Sequence, residues 1–525
     1  MKRAVIHRRI YLVLLTLLGG CMVTTVGLSN VVWPLLFANW LLEGRWQEKW
    51  KMARESRLLQ AFAVLFLLHV VALLWSSDLT TGLLNIVDML PLMAVPLVLL
   101  TTQPPEGNTR RFILNFYGLT VFVVTVIGFI RWLTIPDLPH REIVTYISHI
   151  RFSLNICMVI FLLVASARTR TSHTTHSSFF IPHSSFFKLL LILWFLFILL
   201  LLQSYTAFVI LAVASLVAIL MMPATHSPTR KNRRLRWLTL WLLGATLVTV
   251  MIVLGCRSYY SLDPLASQPL REYTANGRPY KHQQDGFIEN GNYVNNYICH
   301  EELASEWPRR SPVSLDSLTA SGHPVESALI RYLNALGLPK DSSGIAALTD
   351  AQVEEIARGV ANPVYEHGFP LKKMLYVTLF EIENYRCYQA VIGFTMLQRL
   401  ELWNCAWRVI REHPWIGTGT GDLSNEMHTQ FVAMNSPMLQ RELLPHNQYL
   451  TLIALFGFLG FALILLFFLR AWRSSIPAIK QSNIPTFMPL WLTIILLSFL
   501  TENTLDSLPG ILFCTWFLAF RHKKC

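Results

Sequence analysis

Apolar runs long enough to cross a membrane recur from residue 11 to residue 520, and they constrain the fold of this chain more than any other feature. A transmembrane helix needs about 20 predominantly apolar residues. Only 14% of the residues are charged, against roughly 25% in a soluble domain. The sequence therefore predicts an all-α polytopic membrane protein with about twelve transmembrane helices. The predicted spans are 11–27, 29–43, 58–76, 81–100, 112–133, 146–166, 188–203, 206–222, 236–255, 447–469, 485–501 and 508–520.

The basic residues are distributed unevenly between the two sides of these spans. If both chain ends are cytoplasmic, the inner segments hold 25 lysines and arginines, whereas the short outer loops hold two, Arg131 and Arg141. Cytoplasmic loops are enriched in positive residues, so the distribution supports this topology. Contact with anionic lipid then accounts for the formal net charge of +13. We expect membrane lipid, and no nucleic acid, as a partner.

One outer segment, residues 256–445, is far longer than the others and holds 16 basic and 21 acidic residues. A loop of this length crosses the membrane regardless of its charge and can bury a small core. We predict an N-terminal transmembrane bundle over 1–255, a large, mainly helical outer loop domain over 256–445, and C-terminal transmembrane helices over 446–525. If the loop faces an oxidising compartment, one or two disulfides can form there. The cysteines available are Cys256, Cys299, Cys387 and Cys405.

Helical patterns dominate this loop after residue 300. In "LTDAQVEEIARGV", Thr349 is the expected N-cap, and acidic residues follow in the first turns. Residues 396–412 carry apolar side chains at spacings of 3, 4 and 3, which predicts an amphipathic helix. Because tryptophan favours membrane interfaces, we expect this stripe to contact the membrane surface or the transmembrane helices. The stripe consists of Leu400, Trp403, Trp407 and Ile410.

Alternating glycines follow this helix in "HPWIGTGTGD". A dinucleotide-binding glycine motif needs a preceding strand, and here a helix precedes it, so we reject that function. Two alternatives stay open, a flexible turn or a loop whose N–H groups at Gly417 and Gly419 approach an anion. The sequence contains no Asp-x-Asp pair, which weakly disfavours a transferase that binds a nucleotide sugar through a divalent ion. We expect no metal and no cofactor.

Ionisable and amide side chains gather at the outer ends of the predicted spans. Charged residues are costly there and indicate function. Snorkelling or a structural ion pair would explain any one of them alone. Because all lie at one depth on one side of the membrane, the sequence favours a site that they form together. The residues are His149, Arg151, His446, Asn447, Glu502 and Asp506, with Arg399 and Arg408 in the neighbouring amphipathic helix.

Residues 396–461 resemble the O-antigen ligase and O-antigen polymerase family of bacterial membrane glycosyltransferases. The resemblance is carried by Arg399 and Trp403, by "HPWIGTGTGD", by "HNQYL" from His446, and by Gly457 and Gly460. The twelve-span layout and the late, large outer loop also fit the family, and the resemblance implies a GT-C-like fold.

The resemblance implies that a glycan moves from undecaprenyl pyrophosphate to an acceptor hydroxyl at the periplasmic face of the inner membrane. His446 would be the base that activates the acceptor, and Arg399 would clamp the diphosphate, so these two are the expected catalytic residues. Transfer would be inverting and metal-independent. The expected substrate-binding residues are Arg151, His149, Asn447, Arg408, Gly417, Gly419, Glu502 and Asp506.

The sequence departs from the family at Tyr205, in "LLQSYTAFVILAVA". The family usually has an arginine there, and that arginine is thought to help hold the pyrophosphate. Because Arg151 lies on the same predicted face of the membrane, we expect it to substitute.

Three acceptors stay open within the family. A ligase uses a lipid A–core sugar, a polymerase uses another lipid-linked glycan, and a third variant uses protein hydroxyls; we favour the ligase. A polysaccharide transporter or flippase is the alternative from another class. Transporters commonly show internal repeats and broken helices at the midplane, whereas here no repeat is evident and the charges cluster at the outer surface.

Overall fold

The structure, a computed structural model, describes residues 2–135, 138–168, 184–221, 228–262, 269–283, 286–319, 322–440, 444–481 and 487–521. Helices dominate the described chain, which has a single two-stranded sheet, and this confirms the prediction of an all-α polytopic membrane protein. Contacts divide it into unit 1, Met1–Leu238 with Arg399–Cys525, and unit 2, Thr239–Gln398. Unit 1 therefore includes residues 399–445, which the sequence-based division places in the outer loop.

The helices of the first part of unit 1 follow one another closely along the chain. They are α1 (Lys2–Thr24), α2 (Val26–Glu43), α3 (Trp46–Glu55), α4 (Arg57–Val71), α5 (Leu79–Thr101), α6 (Gly107–Thr134), α7 (His149–Arg168), α8 (Ser185–Leu201) and α9 (Tyr205–Leu220). Helix α10 (Pro228–Tyr260) runs from unit 1 into unit 2.

Short helices build unit 2, and longer ones resume in the second part of unit 1. Unit 2 contains the strands β1 (Ile288–Glu289) and β2 (Asn292–Tyr293), and the helices α11 (His300–Arg310), α12 (Val325–Ala335), α13 (Ser342–Ala346), α14 (Asp350–Ala357), α15 (Val364–His367) and α16 (Pro370–Tyr388). Then come α17 (Thr395–Glu412), α18 (Leu423–Ala433), α19 (Gln448–Gln481), α20 (Phe487–Ser498) and α21 (Leu508–Trp516).

Seven of the described helices are long and apolar enough to cross a membrane. They are Arg3–Thr24, Arg57–Trp75, Leu79–Thr101, Gly107–Thr134, His149–Ser166, Asn232–Tyr260 and Gln448–Ser474. Four shorter apolar helices are Ser185–Leu201, Tyr205–Leu220, Met488–Ser498 and Leu508–Phe520. A helix coincides with each predicted span, including α2 with 29–43. The count of about twelve crossings stays a prediction.

Helix α19 is interrupted at Gly457, whose φ of 64° lies in the left-handed region that glycine adopts without strain. The loop 414–419 fills the break through four backbone hydrogen bonds of 2.7–3.2 Å with residues 454–459. A Cβ atom at Gly457 would lie 2.2 Å from the carbonyl group of Trp415. The loop thus pairs with backbone groups that a broken membrane helix would otherwise expose to lipid.

Asp422 ends the segment 414–422, called the glycine loop here because Gly417, Gly419 and Gly421 alternate in it. Its carboxylate accepts hydrogen bonds from the N–H and Oγ of Ser77, at 2.7 and 2.9 Å, and from the N–H of Asp78, at 2.8 Å. These donors lie just before α5, so Asp422 fastens the loop to the start of that helix.

Helix α17 confirms that residues 396–412 are helical, but only part of the predicted stripe lies on its buried face. Leu402, Cys405 and Val409 are buried at helical spacing. Of the predicted stripe, Ile410 is buried, Trp403 is half-buried, and Leu400 and Trp407 are exposed. Contact of those two side chains with the membrane surface stays a prediction.

Unit 2 has a hydrophobic core of its own, centred on Leu303, Trp307, Leu329, Leu333 and Ile356. These side chains come from α11, α12 and α14, whose short amphipathic sequences can bury only one face each. Asn334 of α12 donates a hydrogen bond to the carbonyl oxygen of Glu289 at 2.8 Å, which links this core to β1.

The local signals of unit 2 match its structure. Thr349 forms a capping box with Gln352 at the start of α14, as its position before the acidic turn predicts.

Cys256 and Cys299 are thiols, as is Cys405 in unit 1. No disulfide therefore involves these three side chains.

Candidate active site

The start of α19 is fastened to the segment 499–506, which follows α20. Asn447 caps α19, because its Oδ1 accepts hydrogen bonds from the N–H groups of Tyr449 and Leu450 at 3.0 and 3.1 Å. Its Nδ2 donates to the carbonyl oxygen of Leu500 at 3.3 Å. The amide expected to bind substrate therefore fixes the backbone next to His446.

Two further buried side chains of α19 reach the same segment. Gln448 Oε1 accepts a hydrogen bond from the N–H of Leu505 at 2.8 Å. Thr451 Oγ1 donates to Oδ1 of Asn503 at 3.0 Å. The sequence placed Gln448 beside His446 at the rim of the site but assigned no role to it or to Thr451. The polarity of Thr451 one turn inside an apolar helix was the available signal.

His446 stands immediately before this cap in a strained backbone conformation. Its φ is 49°, in the left-handed region that non-glycine residues rarely adopt. Its Nδ1 lies 3.8 Å from Oε2 of Glu502, and 37% of its side chain is exposed. Strain of this kind is often retained at functional sites, and here it directs an accessible imidazole toward a buried carboxylate.

Glu502 is the centre of the site. It is 7% exposed, and two guanidinium groups approach it besides His446. Arg399 Nη2 lies 3.3 Å from its Oε1, and Arg151 Nη2 lies 4.0 Å from its Oε2. Burial alone would raise the pKa of Glu502, but pairing with His446 and the charges of Arg151 and Arg399 outweigh it, and the pKa lies below its ordinary value.

Two donors beside this cluster are buried without a hydrogen-bond acceptor from the described chain. They are Nε of Arg151 and Nε1 of Trp403. Trp403 lies four residues after Arg399 on α17, so the two side chains share one helix face. Buried donors are nearly always satisfied in proteins, so these two are hydrogen-bonding capacity that the described chain leaves unused.

Asp506 and His149 border the cluster. Gln448 Nε2 donates to Asp506 Oδ1 at 3.4 Å, and burial raises the pKa of Asp506 to about 6 against the pull of Gln448 and Asn503. His149 is the first residue of α7 and interacts electrostatically with Glu502. The structure therefore brings together six predicted residues, namely His149, Arg151, Arg399, His446, Glu502 and Asp506.

Arg141 was missed as a site residue. It precedes α7 and interacts electrostatically with both His149 and Arg399. Burial lowers the pKa of Arg399, and Arg141 lowers it further while Glu502 raises it. Arg141 was one of only two basic residues in the short outer loops, and that rarity was a signal that could have identified it.

Gly417 and Gly419 are engaged in packing. The N–H of Gly417 donates to the carbonyl oxygen of His413 at 3.2 Å, and that of Gly419 donates to Leu455 at 3.1 Å. A Cβ atom at Gly417 would lie 2.3 Å from the backbone of Leu455. Both N–H groups already have carbonyl acceptors, which disfavours the anion-binding alternative, and the close packing of the loop differs from the flexible turn that was the other alternative.

Arg408 is exposed on α17, nine residues after Arg399, and its predicted role in binding substrate stays a prediction.

In the described ranges, Glu412, His413 and Glu426 bring potential metal ligands within 4.8 Å of one another. His413 and Glu426 form an ion pair of 3.7 Å, which accounts for their proximity.

The cluster around Glu502 has the properties of a site for a reacting anion. Two guanidinium groups converge in a largely buried setting, where charge interactions are stronger than in water. An accessible imidazole, which can exchange a proton near neutral pH, adjoins them. These groups can hold an anionic leaving group on one side and accept a proton on the other.

Comparison with known proteins supports the resemblance that the motifs carry. The family model described as O-antigen ligase matches residues 368–465, so the predicted resemblance is confirmed over that segment. The match includes Arg399 and His446, whereas Arg151, Glu502 and Asp506 lie outside it. No curated protein matches the chain. The similarity of this segment to the O-antigen ligase family supports a membrane protein of the ligase and polymerase type, a family of glycosyltransferase-like enzymes that use lipid-linked glycans and glycan acceptors.

Proposed function

We propose that this protein transfers a glycan from undecaprenyl pyrophosphate to an acceptor hydroxyl, as an O-antigen ligase that acts on lipid A–core. The observation that carries the proposal is the convergence of Arg151, Arg399 and His446 on Glu502. The reaction takes place at the periplasmic face of the bacterial inner membrane. No nucleotide sugar is needed, because the diphosphate linkage of the donor supplies the driving force.

The arginines act on the leaving group. When the bond between the sugar and the diphosphate breaks, negative charge develops on the departing phosphate oxygens. The guanidinium groups of Arg399 and Arg151 match those oxygens in shape and charge. Because both are already positioned in a water-poor site, little reorganisation is needed in the transition state. The diphosphate leaves without being protonated.

His446 acts on the acceptor. A sugar hydroxyl is a weak nucleophile, and a base within hydrogen-bond reach makes its attack easier. With Nδ1 directed at Glu502, the imidazole presents Nε2 to the hydroxyl and takes up its proton as the new glycosidic bond forms. The resulting imidazolium is stabilised by the Glu502 carboxylate, as in other base–carboxylate pairs. One direct displacement inverts the anomeric centre.

The remaining predicted residues divide into two roles. Asn447 acts indirectly, because its cap on α19 sets the position of His446. His149 and Asp506 line the cluster and contact the substrate. The proposal assigns no role in binding to Gly417 and Gly419, whose N–H groups are occupied.

A strain that lacks the gene separates the proposed acceptor from its alternatives. For a ligase, the deletion removes all long-chain glycan from lipid A, and lipid-linked polymer accumulates. Core that carries a single repeat unit would instead identify a polymerase. Unchanged surface polysaccharide with altered glycosylation of proteins would identify a protein O-oligosaccharyltransferase. Gel analysis of the surface polysaccharide distinguishes these outcomes.

Complementation of that strain tests the site. Wild-type protein restores the glycan, Arg399→Ala does not, and Arg399→Lys restores it poorly, because an ammonium group is a point charge and not a fork. Arg411→Lys, on the exposed side of the same helix, is the matched control and restores the glycan fully. Full restoration by Arg399→Ala, at equal protein abundance, would refute the proposed clamp.

A further inference from the structure

Positive charge exceeds negative charge around Glu502. Arg151 and Arg399 approach the carboxylate directly, and Arg141 interacts with Arg399 from the segment before α7. Within the described residues, Glu502 is the carboxylate that Arg151, Arg399 and His446 share. Like charges repel, so such a group of arginines needs an anion to hold it together.

The contacts of Glu502 are also loose. Its distances to Arg399, His446 and Arg151 are 3.3, 3.8 and 4.0 Å, longer than the 2.7–2.9 Å of a good charge-assisted hydrogen bond. Arg151 meanwhile retains a buried Nε without an acceptor. One carboxylate therefore contacts both guanidinium groups and the imidazole without a short hydrogen bond to any of them.

We propose that Glu502 is a resident counter-ion, whose carboxylate occupies part of the position that the diphosphate of the donor takes. This inference rests on the proposed function and deepens it. When the diphosphate binds, its oxygens replace Glu502 as the acceptors of Arg151 and Arg399, and Glu502 stays with His446. The same carboxylate thus holds the empty site together and orients the base in the loaded one.

A diphosphate suits this exchange better than a single phosphate. Bridged to a lipid and a sugar, it carries two negative charges on separate phosphorus atoms, and it can accept from two guanidinium groups at once. The spare Nε of Arg151 and Nε1 of Trp403 offer additional donors. A monophosphate can engage fewer of these groups, so we expect it to bind more weakly.

The test uses the purified full chain in lipid nanodiscs and inorganic pyrophosphate as the probe. We expect Glu502→Gln to bind pyrophosphate about tenfold more tightly than the wild type, because the variant lacks the competing carboxylate. The matched control is Glu412→Gln, an exposed glutamate of α17, which leaves the dissociation constant unchanged. Isothermal titration calorimetry with pyrophosphate and with inorganic phosphate measures these constants.

Weaker or unchanged pyrophosphate binding by Glu502→Gln would overturn the inference, because a glutamate that only positions the arginines gives that result. If Glu502→Gln does not elute as a folded monodisperse protein, Glu502→Asp takes its place, since its shorter carboxylate retreats from the cations and again tightens binding. The readout is independent of catalysis. Tighter pyrophosphate binding by Glu502→Gln, together with no glycan transfer by the wild-type protein, would refute the proposed function alone. Glycan transfer by the wild-type protein, without tighter pyrophosphate binding by Glu502→Gln, would refute this inference alone.

Discussion

Two buried glutamates, one in each unit, differ in how closely their basic partners contact them. In unit 2, Glu289 is 0% exposed, and Arg331 donates to both of its oxygens at 2.9 Å. Asn362 Nδ2 adds a third hydrogen bond of 2.9 Å. In unit 1, Glu502 has its cations at 3.3–4.0 Å.

The arginines that pair with these two glutamates also differ, because Arg331 has more hydrogen-bond and ring contacts than Arg151. Arg331 has further partners, since it also donates to the hydroxyl of Tyr365 at 3.2 Å and lies 3.4 Å from the ring centre of Phe380. Among the described residues, the Nε of Arg151 and the Nε1 of Trp403 find no hydrogen-bond acceptor. A saturated network stabilises the fold, whereas an unsaturated one with the same residue types is prepared for a ligand. The two sites differ less in burial and charge than in how completely their hydrogen-bond donors and acceptors are paired.

The largest effect on stability is expected from removing Arg331, the cationic partner of Glu289. Arg331→Ala leaves Glu289 buried without its cation, and we expect a loss of about 3–5 kcal/mol from the stability of unit 2. Hydrogen exchange of unit 2 amides in the full chain measures this loss.

Arg309→Ala is the control, because Arg309 forms an exposed ion pair with Glu306 in the same unit and such pairs contribute about 1 kcal/mol or less. Equal exchange in the two variants would mean that the Glu289 network is not structural, and the comparison would fail.

A smaller effect is expected at the glycine loop. Gly417→Ala places a Cβ atom 2.3 Å from the backbone of Leu455 at a φ of 72°, which we expect to destabilise the protein by about 2–4 kcal/mol. Gly244→Ala is the control, because that position opens onto free space. Retention of the folded protein after heating, followed by size-exclusion chromatography, measures the difference. A stable Gly417→Ala protein that has lost glycan transfer would instead favour the anion-binding alternative.

The smallest effect is expected in the pH dependence of stability, where Asp506 and Glu502 act with opposite signs. Burial raises the pKa of Asp506 from 3.8 to about 6, so its charged form destabilises the fold. Asp506→Asn should therefore become more stable than the wild type as pH rises from about 4 to 6, with a constant difference above. The pKa of Glu502 is lowered from 4.5. Its stabilisation is therefore present above pH 4.5 and is lost as pH falls below it, so Glu502→Gln should be the less stable protein at neutral pH.

Thermal unfolding of the two variants in detergent between pH 4 and 8 measures both differences, with Asp316→Asn, at an exposed position, as the control. If the stability of Asp506→Asn and of Glu502→Gln, each relative to the wild type, changed with pH in the same direction, the two carboxyl groups would not be distinguished by their surroundings.

Much of the architecture could be predicted because hydropathy and local signals determine it. The apolar runs locate the helices of unit 1, and Thr349 caps α14 where its sequence context predicts. The role of the glycine loop could not be predicted, because its hydrogen bonds go to carbonyl groups of residues some 36 positions away, such as the bond from Thr418 to Ala454. Sequence reasoning left the turn and the anion-binding loop as alternatives for that reason.

The composition of the candidate site was predictable, and its organisation was not. Membrane depth placed His149, Arg151, His446 and Glu502 at one level, but depth alone does not say which side chains converge. That Glu502 is the centre follows from how α19 is fastened to the segment 499–506, a tertiary contact. The contribution of Arg141 likewise depends on how the segment before α7 folds back.

The most direct test of the central claim is a transfer assay with purified protein, a glycan on undecaprenyl pyrophosphate and lipid A–core as acceptor. We predict that His446→Ala reduces the rate at least about 100-fold while the protein stays folded. His428→Ala, at an exposed position on α18, should transfer at the wild-type rate. Transfer by His446→Ala at the wild-type rate would contradict the account, because the open cluster around Glu502 would then not be where the reaction occurs.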